Sequence, residues 1–206
     1  VKGGIIELRA FVITGLVHWF EEQLRGSPLS KVLAGIAIGF VEVFVRMIDM
    51  LVRLYDLPES AEMYQKVEDA GIILRRPGAY EKHLVEDFVR EHFSPKWVSE
   101  VQVAFSRQPI TCFIATRNKE ILGFACYETT NKAYFGPTGV SEAARGTGIG
   151  KALLMKALEG LHDLGYAYGF IGGVGPKEFY AKAVGAVEIP GSDPSIYVDI
   201  LPEPLF

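Results

Sequence analysis

Cysteine is scarce, with only Cys112 and Cys126 among 206 residues, and two thiols are too few for a disulfide-built scaffold. Both fall in segments expected to be neighbouring strands, where free thiols act as small apolar side chains and a reducing, cytoplasmic setting fits. An excess of positive charge is also missing. With 21 Lys and Arg against 25 Asp and Glu, the formal net charge is -4, so no nucleic-acid partner is expected and an acidic ligand must be held by a local site. An apolar run of membrane-spanning length is lacking as well. Residues 32–45 are almost wholly apolar, but Glu42 interrupts them and Arg46 and Asp49 follow, which leaves the run short of the roughly 20 residues that cross a bilayer. Residues 1–24 show no charged start, apolar middle and small-residue cleavage site, so no secretory leader is read there.

What is present is a globular composition. Hydrophobic residues make up 49% of the chain and charged residues 22%, enough to bury one substantial core, with an appendage at most. Two regions differ in pattern. In residues 1–50, Ile5, Leu8, Val12, Leu16, Trp19 and Phe20 recur at helical spacing, Gly26-Ser27-Pro28 breaks the pattern, and a second helix follows from about Leu29 to Met47. This reads as an apolar helical hairpin whose covered face serves docking on the main domain or a homodimer, with membrane contact the least favoured use.

Residues 51–206 read as alternating strands and helices. Strands are expected at 51–56, 111–116, 121–128, a segment ending at Val140, 167–172, near Val187 and at 196–200. Helices are expected at 58–70, 79–93, from the glycine loop to about Leu164, and at 177–183. The tight turn Arg117-Asn118-Lys119-Glu120 and a second turn at 129–132 make residues 111–140 an antiparallel meander.

The most informative stretch is Arg145-Gly146-Thr147-Gly148-Ile149-Gly150-Lys151, running into Ala152-Leu153-Leu154-Met155. Alternating glycines let the backbone curl closely around a ligand, and the unsatisfied N–H groups of a new helix favour the same negative charge. Two better-known phosphate motifs fail. A P-loop needs Gly where Arg145 stands and Ser or Thr where Ala152 stands. A dinucleotide fingerprint would need Gly at Lys151 or Leu153.

What remains, Arg-x-x-Gly-x-Gly after a short strand, resembles the acetyl-CoA pyrophosphate loop of the GNAT N-acetyltransferases. Phe179-Tyr180-Ala181-Lys182-Ala183-Val184-Gly185-Ala186 is similar to a second segment of that family, in the expected order. The resemblance implies an α/β GNAT fold with a mixed, mostly antiparallel central sheet flanked by helices, here extended by the N-terminal helical hairpin. It implies transfer of an acetyl group from acetyl-CoA by direct attack of an amine, without a metal. The acceptor would be an amine-bearing small molecule, peptide or protein. It also implies that Gly139, Val140, Arg145, Gly146, Thr147, Gly148, Ile149, Gly150 and Lys151 hold the donor and that Tyr180 protonates the leaving sulfur.

The base is the weak point of the match. Counting back from Val140 finds Tyr134 and Phe135 rather than a carboxylate, so Glu128 is the candidate, with a water relay as the other route. His83, His92 and Glu100 lie where the acceptor wall is expected. Gly173 and Pro176 stand where the family often has Asn and Ala. A different kind of function is a noncatalytic acetyl-CoA-binding regulatory module acting through the hairpin.

Overall fold

The computed structural model describes residues 48–201. The expected hairpin at residues 1–47 lies outside the described residues. Ile48–Ser195 form one compact unit.

Its frame is a seven-stranded sheet in the order β2-β3-β4-β5-β6-β1-β7. The strands are β1 (Met50–Arg53), β2 (Ile73–Arg75), β3 (Cys112–Arg117), β4 (Glu120–Tyr127), β5 (Tyr134–Val140), β6 (Tyr168–Ile171) and β7 (Val187–Glu188). Five helices accompany them: α1 (Ala61–Asp69), α2 (Lys82–His92), α3 (Pro95–Phe105), α4 (Ile149–Asp163) and α5 (Lys177–Val184). The meander is as expected: β3 pairs antiparallel with β4, and β4 with β5. At the β3–β4 turn, Asn118 and Lys119 take positive φ values of 52° and 68°, the backbone geometry that a two-residue hairpin loop requires.

Alternating faces of β4 build two separate cores. Phe124 and Cys126 pack with Val85, Phe88 and Val89 of α2 and Val98, Val101 and Ala104 of α3. Ala125 and Tyr127 face the other way, toward α4, which buries Ile149, Ala152, Leu153, Leu154, Met155, Ala157, Leu158 and Leu161. The period-2 alternation of a strand thus supplies two helical layers at once.

Several expectations are corrected. The segment read as 51–56 is a strand only to Arg53 and ends in a 3-10 turn. Strand β1 sits between β6 and β7, antiparallel to both. Strand β2 and helix α3 were not anticipated. Helix α3 begins at Ser94-Pro95, where the Ser94 hydroxyl caps the Trp97 N–H at 3.4 Å and proline fills the first turn, as helix starts prefer. No strand forms at residues 196–200. The chain leaves β7 through Gly191 at φ 75°, and Pro194 has no N–H to give to a ladder.

Candidate active site

Strands β5 and β6 run parallel, but only Tyr134↔Phe170 and Phe135↔Ile171 are paired. Beyond Ile171 the chain turns to β1 instead: the Gly173 N–H donates to Asp49 Oδ1 at 3.1 Å and the Val174 N–H to the Ile48 carbonyl at 3.0 Å. Strand β5 continues to Val140, held on its other side by β4 through Thr138, Gly139 and Val140. Among the described residues the Gly136–Val140 edge that faces away from β4 therefore has no strand partner, and beyond the Gly136 carbonyl, which accepts the Thr129 hydroxyl at 2.7 Å, its backbone groups are open to an extended polar ligand.

Gly139 and Val140 lie on this edge, and the two faces of the sheet are closed differently around them. A Cβ on Gly139 would stand 2.3 Å from the Phe93 ring, so the phenyl group lies directly on the glycine. Val140 points to the opposite face, where its Cγ2 would be 3.6 Å from a Cβ on Gly150.

The loop after β5 has the expected form. A 3-10 turn at Glu142–Ala144 leads into Arg145, then Gly146 and Gly148 take φ 81° and 88°. These left-handed values favour glycine. A Cβ at either position would meet nothing within 4 Å, so both are open. Gly148 caps α4, and Ala152 makes the bond to its carbonyl at 3.1 Å. The amides of Ile149, Gly150 and Lys151 thus precede the intrahelical ladder and are available to an anion. Thr147 turns its hydroxyl back to the Ala144 carbonyl at 2.7 Å, leaving its backbone as the ligand-facing part. Arg145 and Lys151 are exposed at the two ends of the loop. An open glycine arch, three unladdered amides and two flanking cations fit a pyrophosphate.

Tyr180 lies on α5, 9% exposed and packed in the α4-side core. Its ring meets Phe135 edge-on with centroids 6.2 Å apart, which places it at the last residue pair shared by β5 and β6. Burial pushes its phenol up to about 12. The hydroxyl therefore keeps its proton at neutral pH and can serve as an acid there, not as a base.

Glu128 is placed differently from a poised base. It is 4% exposed, at the end of β4 with φ 61°. Oε1 accepts the Ala133 N–H at 2.9 Å and Oε2 accepts Lys132 Nζ at 2.9 Å, with Arg107 Nη1 at 3.9 Å from Oε2. Burial raises its pKa, but the bonds from Ala133, Tyr166 and Lys132 outweigh this and hold the carboxyl below the ordinary glutamate value. These contacts make Glu128 the anchor of the turn at residues 128–133.

Two further carboxylates lie nearby: Asp49, which no sequence signal marks, and Glu100, expected in the acceptor wall. Asp49, 4% exposed, accepts bonds from the Gly173 N–H, the Tyr134 hydroxyl at 3.2 Å and the Ser195 hydroxyl. It ties together the ends of β1, β5 and β6. Glu100 on α3 is half-buried and accepts a hydrogen bond from the Thr130 hydroxyl. Burial pushes its carboxyl up, with the Thr130 bond offsetting part of the rise. No local sequence signal marks Asp49, because its partners are brought together only by strand pairing. His83 and His92 lie on α2, and His92 leans on Phe88 with ring centroids 4.7 Å apart.

Residues 78–185 match the model of the Acetyltransferase (GNAT) family. Among solved structures, a fungal multi-domain beta-N-acetylglucosaminidase with a GCN5-related glucosamine N-acetyltransferase region is similar at TM-score 0.58 and 16% identity. That match covers 80% of this chain and 22% of the other. A GCN5-related N-acetyltransferase from Sphaerobacter thermophilus is similar at TM-score 0.54 and 20% identity, over 74% of this chain and 53% of that one. At these identities the likeness concerns the fold, and the chain spans well under two thirds of either structure's length. No match is found among curated proteins.

Proposed function

Because this chain belongs to the GNAT acetyltransferase family, we propose that it transfers an acetyl group from acetyl-CoA to an amine by direct attack within a ternary complex. The carrying observation is the contiguity of the open glycine loop Arg145–Gly148 with the strand edge Gly136–Val140, which lacks a strand partner among the described residues. Together they form one polar track whose far end lies at Phe135 and Tyr180.

Bound acetyl-CoA supplies an activated thioester carbonyl. The chain supplies the rest. Amides from Gly146 to Lys151 take the pyrophosphate charge, with Arg145 and Lys151 adding field at the rim. Backbone groups of Gly139 and Val140 orient the arm as an added strand would be oriented. Tyr180 keeps its proton until sulfur needs it, and general-acid assistance of this kind contributes roughly 10²–10⁴-fold. Glu128 is bonded on both oxygens and held in its anionic form, which makes it a turn anchor and a poor proton acceptor, so deprotonation of the amine is not assigned to it.

Titration calorimetry with CoA and with pantetheine tests the track. The reading expects CoA to bind at least about tenfold more tightly, the worth of one or two charge-assisted hydrogen bonds. Equal affinities would mean that the glycine loop does not hold the pyrophosphate.

A further inference from the structure

Two carboxylates face the α2–α3 side of the sheet near the point where β5 and β6 part. Asp49 is committed to three donors and buried. Glu100 has a single donor among the described residues, the Thr130 hydroxyl, and no cation among them pairs with it.

Its position follows from three links. Helix α3 packs on β3, β4 and β5. The Glu100 charge acts on the Cys126 thiol, and Cys126 lies at the register break of β4, opposite the Gly136-Pro137 segment between the pairs Ala125↔Thr138 and Tyr127↔Phe135. Thr130 follows Thr129, whose hydroxyl donates to the Gly136 carbonyl at 2.7 Å. Glu100 is thus tied, through Thr130, to the turn in which Thr129 bonds the start of the unpaired β5 stretch. Tyr180 lies on the α4 side of the sheet, against Phe135 of the same strand.

Trp97 lies one turn before Glu100 on the same helix face. It stacks on Phe93 with centroids 5.3 Å apart, and Phe93 covers Gly139. Along the edge of β5, this face thus presents a phenyl ring, an indole and then a carboxylate. Among the described residues the Thr130 hydroxyl is the one group that hydrogen-bonds Glu100 and no cation pairs with it, so no neighbouring cation competes for a bound ammonium.

We propose that Glu100 is the base of the reaction, receiving a proton from a primary ammonium acceptor that enters from the α2–α3 face. This rests on the acetyl-transfer reading above. One proton passes from R–NH3+ to the Glu100 carboxylate. The freed nitrogen lone pair forms the C–N bond and the C–S bond breaks, with its electron pair going to sulfur. Sulfur takes a proton from Tyr180, and the proton that nitrogen sheds on becoming an amide returns through water to Tyr180. Glu100 then gives its proton to solvent. The products are the acetamide, CoA thiol and one proton in solution.

Burial of Glu100 favours this role, because a carboxylate of raised proton affinity is a better acceptor at neutral pH. Thr130 acts in the opposite sense by stabilising the ionised form.

The test compares the full chain with Glu100→Gln and Thr130→Val, using acetyl-CoA, a panel of primary amines, and carbon-13 carboxyl titration of the chain without ligand. Glu100→Gln is expected to lower kcat/KM by about 10²-fold or more at neutral pH and to remove its acid limb, with CoA affinity kept. Thr130→Val should shift that limb to higher pH while retaining turnover. In the unliganded parent a carboxyl resonance should titrate above the ordinary glutamate range and be lost in Glu100→Gln. An unchanged acid limb in Glu100→Gln, with amine-dependent turnover retained, would overturn the proposal alone. Silence of the parent with every amine would instead overturn the transferase reading, and the role of Glu100 with it.

Discussion

The Tyr180 ring stands edge-on to Phe135, centroids 6.2 Å apart and planes at 69°. Phe135 is the last residue of β5 that pairs with β6. The phenol is thereby fixed at the point where the two parallel strands separate, without a hydrogen bond from its hydroxyl to another described residue.

Tyr180→Phe keeps that ring contact and removes only the proton donor. Steady-state kinetics should show kcat reduced by about 10²-fold or more with acetyl-CoA affinity unchanged. The same variant reports on stability. The folded value of about 12 exceeds the unfolded 10.0, so the contribution of the neutral phenol is fully present below pH 10 and is lost as pH rises through 12. Denaturant titrations of the parent should lose up to roughly 2–3 kcal/mol over that interval, and the Phe variant should lack that increment.

Gly146 and Gly148 sit at φ 81° and 88° with open space around them. Alanine at either site meets no steric obstacle but forces a left-handed backbone at a cost of about 1–2 kcal/mol. Relaxation of the loop should withdraw amides from the pyrophosphate and weaken CoA binding in calorimetry by about tenfold or more. Asparagine tolerates this backbone better, so Gly146→Asn should bind more tightly than Gly146→Ala.

Gly139→Ala places a methyl group 2.3 Å from the Phe93 ring. Thermal unfolding should show a loss of about 1–3 kcal/mol from overpacking. Combining it with Phe93→Leu should recover part of that loss, a non-additivity expected only if the two residues touch.

Glu128→Gln separates an anchor from a base. Its carboxyl is held below the ordinary glutamate value, so its stabilisation is present above that value and is lost as pH falls through the lower folded one. The variant should be less stable at neutral pH by about 1–3 kcal/mol, with the difference closing in acid. Its pH-rate profile should match that of the parent.

The glycine loop and the meander were legible because their signals are local. Positive-φ positions select glycine, hairpin turns select Asn118-Lys119, and α4 follows from apolar spacing. The place of β1 was not legible, because Met50–Arg53 reads as a strand at either edge or centre and only pairing with Phe170 and Val187 decides it. Glu100 is legible as part of the acceptor-wall segment, but its bond to Thr130, 30 residues away, is not. Helix α3 could have been found from Ser94-Pro95, a cap followed by a first-turn proline. Glu128 reads as a base candidate because it lies across the hairpin from the start of the strand that enters the loop, where a strand-end carboxylate is usually solvated. Its burial depends on Lys132, Ala133 and Tyr166 converging on it.

The most direct test of acyl transfer is the release of CoA thiol on mixing the chain with acetyl-CoA, with and without primary amines. Amine-dependent release that falls about 10²-fold or more in Tyr180→Phe is predicted. Tight acetyl-CoA binding with no amine-dependent release from the parent, across the amines tried, would contradict the account and favour a noncatalytic acetyl-CoA-binding module.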